Sequence, residues 1–263
     1  MTTVVAAAAV RAKDIPTAPT RDQSDESAWR TLYRVGGLAA LGVVALVPIQ
    51  MMVFVVWPPP TTVLGWFSRF QDNGLIGLLD MDLLMLADYI LFALLFLALF
   101  VTLRRTSASI AAISVALELV AIATYFASTT AFEMLSASGQ YAAASTDTER
   151  TIALAVGQVL LLTWQGTAFS ASYVIAGMAQ LLIAIAMLRG GPFGRITAYA
   201  GILAGVLTLV PPTIGTPGLI LSLVSLLPMW AFLILAGRRL LLLSSDGKER
   251  GAATEELKLG GDS

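Results

Sequence analysis

The stretch TIALAVGQVLLLTWQGTAFSASYVIAGMAQLLIAIAML, residues 151–188, decides the fold, because its 38 mostly apolar residues hold neither a proline nor a charge. A membrane-spanning helix uses about 20 such residues, so the stretch reads as two short spans or as one span with an extension. The cations elsewhere separate the two readings, since Lys and Arg in short loops are retained on the cytoplasmic side. With one crossing the chain has six spans and both termini inside. The inner side then collects Arg11, Lys13, Arg21, Arg30, Arg34, Arg104, Arg105, Arg189, Arg195, Arg238, Arg239, Lys248, Arg250 and Lys258, 14 in all, against Arg69 and Arg150 outside. With two crossings the balance becomes 7 inside against 9 outside. One crossing is therefore expected. It makes 163–188 the fourth span and leaves 151–162 as an outer-side helical segment, with Gly157 and Gly166 as bend points.

Upstream lie a polar stretch, SASGQYAAASTDTER at 136–150, and the third and second spans, 109–132 and 78–103, joined by a short loop carrying Arg104 and Arg105. The first span, 35–56, is opened by Trp29 and Tyr33 and closed by Trp57 and Pro58-Pro59-Pro60, which cannot continue a helix. Pro48 inside it predicts a bend, with Gln50 bonding the freed carbonyls. The aromatic segment VLGWFSRF, 63–70, is too short to cross and suits a helix lying in the outer interface. Downstream, RGGPFGR at 189–195 joins the fourth span to the fifth, 196–212, and the turn PPTIGTPG at 211–218 leads into the sixth, 217–237. Residues 1–30 and 241–263 read as flexible cytoplasmic tails around a transmembrane domain at 31–240. The apolar run at 4–10 has no cationic region before it, so it is not expected to be a signal peptide.

Composition agrees with this class. Of 263 residues 57% are apolar and 13% charged, with a mean hydropathy of +0.81, whereas a soluble domain keeps about a quarter of its residues charged. The expected fold is an all-α integral membrane protein: a six-span antiparallel bundle with short outer-side interfacial helices. A net charge of -1 gives no basic field for nucleic acid. The absence of Cys and His removes disulfides, Cys/His metal sites and every Ser-His or Cys-His nucleophile. No cofactor is expected, and the loops are too short for a catalytic domain.

Charges inside the spans need most explanation, since an Asp at mid-bilayer costs about 2.5 to 3.5 kcal/mol on insertion scales. Asp88 and Glu118 qualify, at heights differing by roughly 9 Å at 1.5 Å per residue. No span contributes a cation to pair with them, and both are expected to be neutral hydrogen-bonding groups. Asp80 and Asp82, near the outer end of the second span, read as solvated, or as the mouth of a cation pathway. At 100° per residue Ser114, Tyr125 and Thr129 share the face of Glu118. Gln158, Gln165, Ser172 and Gln180 form a second stripe if the fourth span continues unbroken from 158. Both stripes should turn inward, making a polar seam of Asp88, Glu118, Tyr125, Gln158, Gln165 and Gln180 that is either a structural clamp or a proton site. Acid/base catalysis by two carboxyls requires them at one height in one motif, which Asp88 and Glu118 lack, so no enzyme is expected. Gly201 and Gly205 form a Gly-xxx-Gly pair for close helix packing, internal or between copies in a homo-oligomer.

Three segments carry a resemblance: LLDMDLLMLADYILFALLFLALFVTLRR, AISVALELVAIATYF and GTAFSASYVIAGMAQLLIAIAMLRGGPFGRITAYAGILAG. Over roughly 33–239 the chain resembles a family of uncharacterised bacterial six-helix inner-membrane proteins, a domain of unknown function. The resemblance implies the fold and a multi-pass location in the plasma membrane, and transfers no catalytic residue. The excess of Arg over Lys, 13 against 3, fits a GC-rich bacterial source. The sequence thus leads to a non-enzymatic multi-pass membrane protein with the lipid bilayer as its first partner, or to a small proton-linked transporter working through intramembrane carboxyls.

Overall fold

The computed structural model describes the backbone of residues 21–81 and 83–259 and the side chains of 28–81 and 83–245. Asp82, residues 1–20 of the N-terminal tail and residues 260–263 of the C-terminal one lie outside the described residues. All regular structure described is helical: α1 (Arg21–Val56), α2 (Val63–Asp72), α3 (Gly74–Asp80), α4 (Leu83–Ser128), α5 (Ala131–Ala143), α6 (Asp147–Trp164), α7 (Thr167–Leu188), α8 (Arg195–Thr208) and α9 (Thr216–Leu259), with a 3-10 turn at Pro212–Ile214. Four stretches are long and apolar enough to cross a membrane, Ala28–Val56, Leu83–Ala143, Asp147–Leu188 and Thr216–Ser245, and α8 is a shorter apolar helix. This is the build of a multi-pass helical membrane protein.

Helix α4 is a hairpin. Its backbone leaves helical geometry at Ser107 (φ -148°, ψ 49°). Tyr89, 18 residues before that break, stacks on Tyr125, 18 residues after it, with ring centroids 4.1 Å apart. Along one straight helix those residues would lie about 54 Å apart, so the two arms, 83–106 and 108–128, run antiparallel. They pack with α1, α7, α8 and α9 around a common core in which Leu95, Leu99, Leu103, Ile183, Phe232 and Leu240 are fully buried. Ser114 on the second arm donates to the Ala179 carbonyl of α7 at 2.7 Å, a buried tie between the helices.

Several expected boundaries move. The helix expected as the second span begins at 83 and not at 78, because Asn73 starts a separate helix by accepting from the amides of Leu75 and Ile76. The third ends at 128 and not at 132; Ala131 opens α5, which turns into a different core. The fourth span, expected from 163, starts as α7 at 167, because the chain breaks at Gln165-Gly166, at one of the two expected bend points. The helix expected as the fifth span, α8, ends at 208 and not at 212, ahead of Pro211. At the C-terminus α9 continues as helix to Leu259, through the stretch read as a tail. The chain runs as helix through Pro48, and Gln50 donates to the Leu79 carbonyl at 3.1 Å instead of closing onto its own helix.

The four short helices α2, α3, α5 and α6 form a cap at the end of the bundle opposite Ser107. Trp66, Phe67, Phe70, Met81, Met134 and Trp164 build its core, and Trp66 meets Trp164 edge to face at 5.5 Å. The aromatics of α2 therefore pack on protein, where an interfacial helix would have pressed them into lipid. Thr146 and Glu149 close a reciprocal capping box at the start of α6. Ser138 ties α5 to the Phe67 carbonyl at 3.0 Å, and Thr130 reaches the Leu160 carbonyl at 3.2 Å. Asp80, expected to be solvated, is fully buried in this cap and paired with Arg69.

Candidate functional site

Six helical segments of the bundle converge on one cavity of about 120 Å³. The first arm of α4 supplies Asp88, Tyr89, Phe92 and Phe96, and the second arm supplies Glu118. Tyr173 and Gln180 come from α7, Thr208 from α8, and Ser225, Met229 and Trp230 from α9, while Val43 and Val47 of α1 complete the wall. Asp88 lies 19 residues before the hairpin break and Glu118 11 residues after it, so their heights differ by about 12 Å. The two carboxyls thus line the cavity at different heights along the bundle axis.

Its polar groups are strongly desolvated: Asp88 is 1%, Glu118 3% and Gln180 3% exposed. Both carboxyl oxygens of Asp88, both amide atoms of Gln180 and the indole N–H of Trp230 are buried without a protein hydrogen-bond partner. An unmet buried polar group costs about 1–3 kcal/mol, and native structures hold few of them. Five such atoms lie around this cavity, and five more, Gln50 Oε1, Trp66 Nε1, Asp80 Oδ1, Ser107 Oγ and Ser222 Oγ, lie away from it. The volume equals about four water molecules at about 30 Å³ each.

Gly201 gives Gln180 its room: a Cβ there would stand 3.1 Å from Gln180 Nε2 and 2.9 Å from the Ala184 and Phe232 side chains. Gly205 lies against Leu181 and the Gly177 carbonyl, which a Cβ would approach to 3.0 Å or less. The Gly-xxx-Gly pair is therefore used inside the protein, between α8 and its neighbours. Phe96 and Leu233, both almost completely buried, are also part of the wall. Toward the cap an aromatic row runs from Tyr89 through Tyr125 and Phe169 to Tyr173, with centroids 4.1, 6.1 and 5.6 Å apart in succession.

Of the six residues read as a seam, Asp88, Glu118 and Gln180 line the cavity, and Tyr125 is buried behind Tyr89. Gln158 and Gln165 do not join them. Both are exposed, on α6 and at its C-terminal cap, because the break at 165–166 resets the helical phase on which the second stripe was drawn. Ser172 turns back onto the Phe169 carbonyl at 2.7 Å. The sequence reading missed Tyr89, Phe92, Phe96, Tyr173, Ser225 and Trp230. Two signals pointed to them. Tyr89, Phe92 and Phe96 repeat at helical spacing beside Asp88, and Pro228, inside α9, lies in the turn that carries Ser225 and Trp230. No family model, curated protein or solved structure matches this chain.

Proposed function

We propose that this chain is a six-span protein of a bacterial plasma membrane, with both termini cytoplasmic, that moves a small polar solute in exchange for protons held at Asp88 and Glu118. One observation carries the reading: buried carboxyl and amide atoms without protein partners surround a cavity of about 120 Å³ in the middle of an apolar bundle. A purely structural seam would have spent those atoms on one another, since interhelical hydrogen bonds contribute about 0.6 to 2 kcal/mol each only when made.

The topology draws support from the distribution of cations. Arg30, Arg34, Arg104, Arg105, Arg189, Arg195, Arg238 and Arg239 belong to the Ser107 end of the bundle, whereas Arg69 and Arg150 belong to the cap. By the rule that short basic loops stay inside, the cap faces outward. Because α6 packs against α5 and α2 in the cap, it adds no crossing, and the two arms of α4 with α1, α7, α8 and α9 make six. Enzymatic chemistry has little to start from here. The carboxyls differ in height by about 12 Å, and no His, Cys, Lys or Arg lines the site.

The test is proton movement in liposomes loaded with a pH dye, with tetramethylammonium, sodium acetate or glycerol added outside. The wild type is expected to give a solute-dependent change of internal pH for one of the three. Asp88→Asn and Glu118→Gln, which keep shape while removing the exchangeable proton, are expected to lower it at least tenfold. Equal responses in wild type and both variants would refute the proposal.

A further inference from the structure

We infer that the solute is a small organic cation of the ammonium type, with about five non-hydrogen atoms, taken up at Asp88 as a carboxyl proton leaves. This deepens the exchange reading and rests on it. The sign of the charge comes first. The titratable groups facing the cavity are Asp88, Glu118, Tyr89 and Tyr173; α1, α8 and α9 contribute none, and no Lys or Arg lines it. Every formal charge the site can carry is negative, so an anionic solute would have no counter-charge in a low-dielectric place where that costs most.

The rest of the wall selects among cations. The rings of Tyr89, Phe92, Phe96, Tyr173 and Trp230 line the cavity. Aromatic faces attract ammonium and quaternary ammonium groups through the ring quadrupole, most strongly when water is excluded. A bare alkali ion needs its hydration shell replaced by several oxygens, and this wall is largely carbon. Size sets the upper limit: an apolar cavity of about 150 Å³ holds benzene, with six heavy atoms, so about 120 Å³ holds roughly five. Asp88, whose two oxygens are buried without protein partners, supplies the counter-ion, and the Gln180 carbonyl oxygen can accept from an N–H where the cation has one.

The exchange balances. A protonated carboxyl plus the incoming cation becomes a carboxylate–cation pair plus one released proton. The net charge of the site is unchanged, and no charge is left unpaired in the bilayer.

The experiment uses the full chain in lipid nanodiscs at weak buffering, with tetramethylammonium chloride as probe, because that ion has no dissociable proton of its own. Saturable binding to the wild type with about one proton released per ion is the expected result, and it needs no variant. Asp88→Asn, checked for an unchanged melting temperature, should weaken binding at least tenfold. Trp230→Leu should weaken it about tenfold, with Trp230→Phe recovering most of the loss. Neutral tert-butanol, also of five heavy atoms, and sodium chloride should release no protons. Tert-butanol binding as tightly as tetramethylammonium, or sodium ion releasing the proton in its place, would overturn the inference. If the liposomes show Asp88-dependent proton movement with acetate or glycerol while tetramethylammonium fails to bind, the cation class is wrong and the exchange stands. If no solute gives Asp88-dependent proton movement, both fall.

Discussion

Replacing Arg69 by Met strands a fully buried carboxyl and should unlock the cap in a pH-dependent way. Arg69 on α2 pairs with Asp80 on α3 and donates to the Pro58 carbonyl at 3.3 Å, so one guanidinium joins two helices and the connection leaving α1. Even with this partner, burial pushes Asp80 up from 3.8 to about 6, the Arg69 charge and hydrogen bond pulling the other way. A carboxyl raised in the folded state is neutral and harmless at low pH. Its cost to stability grows as pH rises from the unfolded value toward the folded one. At about 1.36 kcal/mol per pH unit, that cost in the wild type reaches about 3 kcal/mol above pH 6.

Without Arg69 the folded value climbs further, so the window of loss extends above pH 6. Removing one partner of a buried pair costs about 3–5 kcal/mol, and the partial exposure of Arg69 puts this pair at the lower end. A difference of about 3 kcal/mol is roughly 150-fold in a local opening equilibrium. Amide hydrogen exchange of α2 and α3 in nanodiscs reads it directly. Wild type and Arg69→Met should exchange at similar rates at pH 4 and diverge by about a hundredfold at pH 8. Adding Asp80→Asn to Arg69→Met should remove the divergence. Equal exchange at pH 8, or a difference just as large at pH 4, would refute the claim that the buried carboxyl governs the cap.

Other substitutions probe the remaining contacts. Gly205→Ala drives a methyl against the Leu181 backbone nitrogen and the Gly177 carbonyl, at 2.9 and 3.0 Å. Overpacking of that kind costs about 1–3 kcal/mol, which a lowered melting temperature in detergent would report, while the monomer–dimer balance in light scattering should not change. Thr146→Ala removes the side-chain half of the capping box and should destabilise the first turn of α6 by about 1 kcal/mol, seen as faster exchange of the amides at 149–151 with α5 unaffected. Ser114→Ala deletes the buried bond to the Ala179 carbonyl and should cost about 0.6 to 1.7 kcal/mol, again as a lower melting temperature, with proton movement in liposomes retained.

What could be read from the sequence differed by the range of the interactions involved. The hairpin at Ser107 was legible because Arg104 and Arg105 end one apolar run and a second begins at once, a signal confined to a few residues. The break at Gln165-Gly166 was legible only as a bend point at Gly166, since no proline or charge marks it and the apolar run continues across it, and the second stripe was drawn straight through it. Two residues out of helical phase were enough to move Gln158 and Gln165 from a supposed seam to the exposed side of α6, while Gln180, within a single helix, kept its inward place. The cap was hidden for another reason. Its core joins Trp66 to Trp164, partners 98 positions apart, so each of its helices alone looks like an interfacial segment or a polar loop. Asp80 was misread with it: its burial and its pairing with Arg69 exist only once Asn73 has turned α3 back beside α2. The cavity lies between these extremes. An acid followed by aromatics at helical spacing, Asp88 with Tyr89, Phe92 and Phe96, is visible in the sequence, yet such a face fills solid cores as readily as it lines a chamber. What makes it a chamber is the convergence of Gln180 and Trp230 from helices far along the chain, polar groups that bring no partners of their own. The five polar atoms gathered there without partners, more than the charge of Asp88 alone, carry the proposal that this cavity holds a solute.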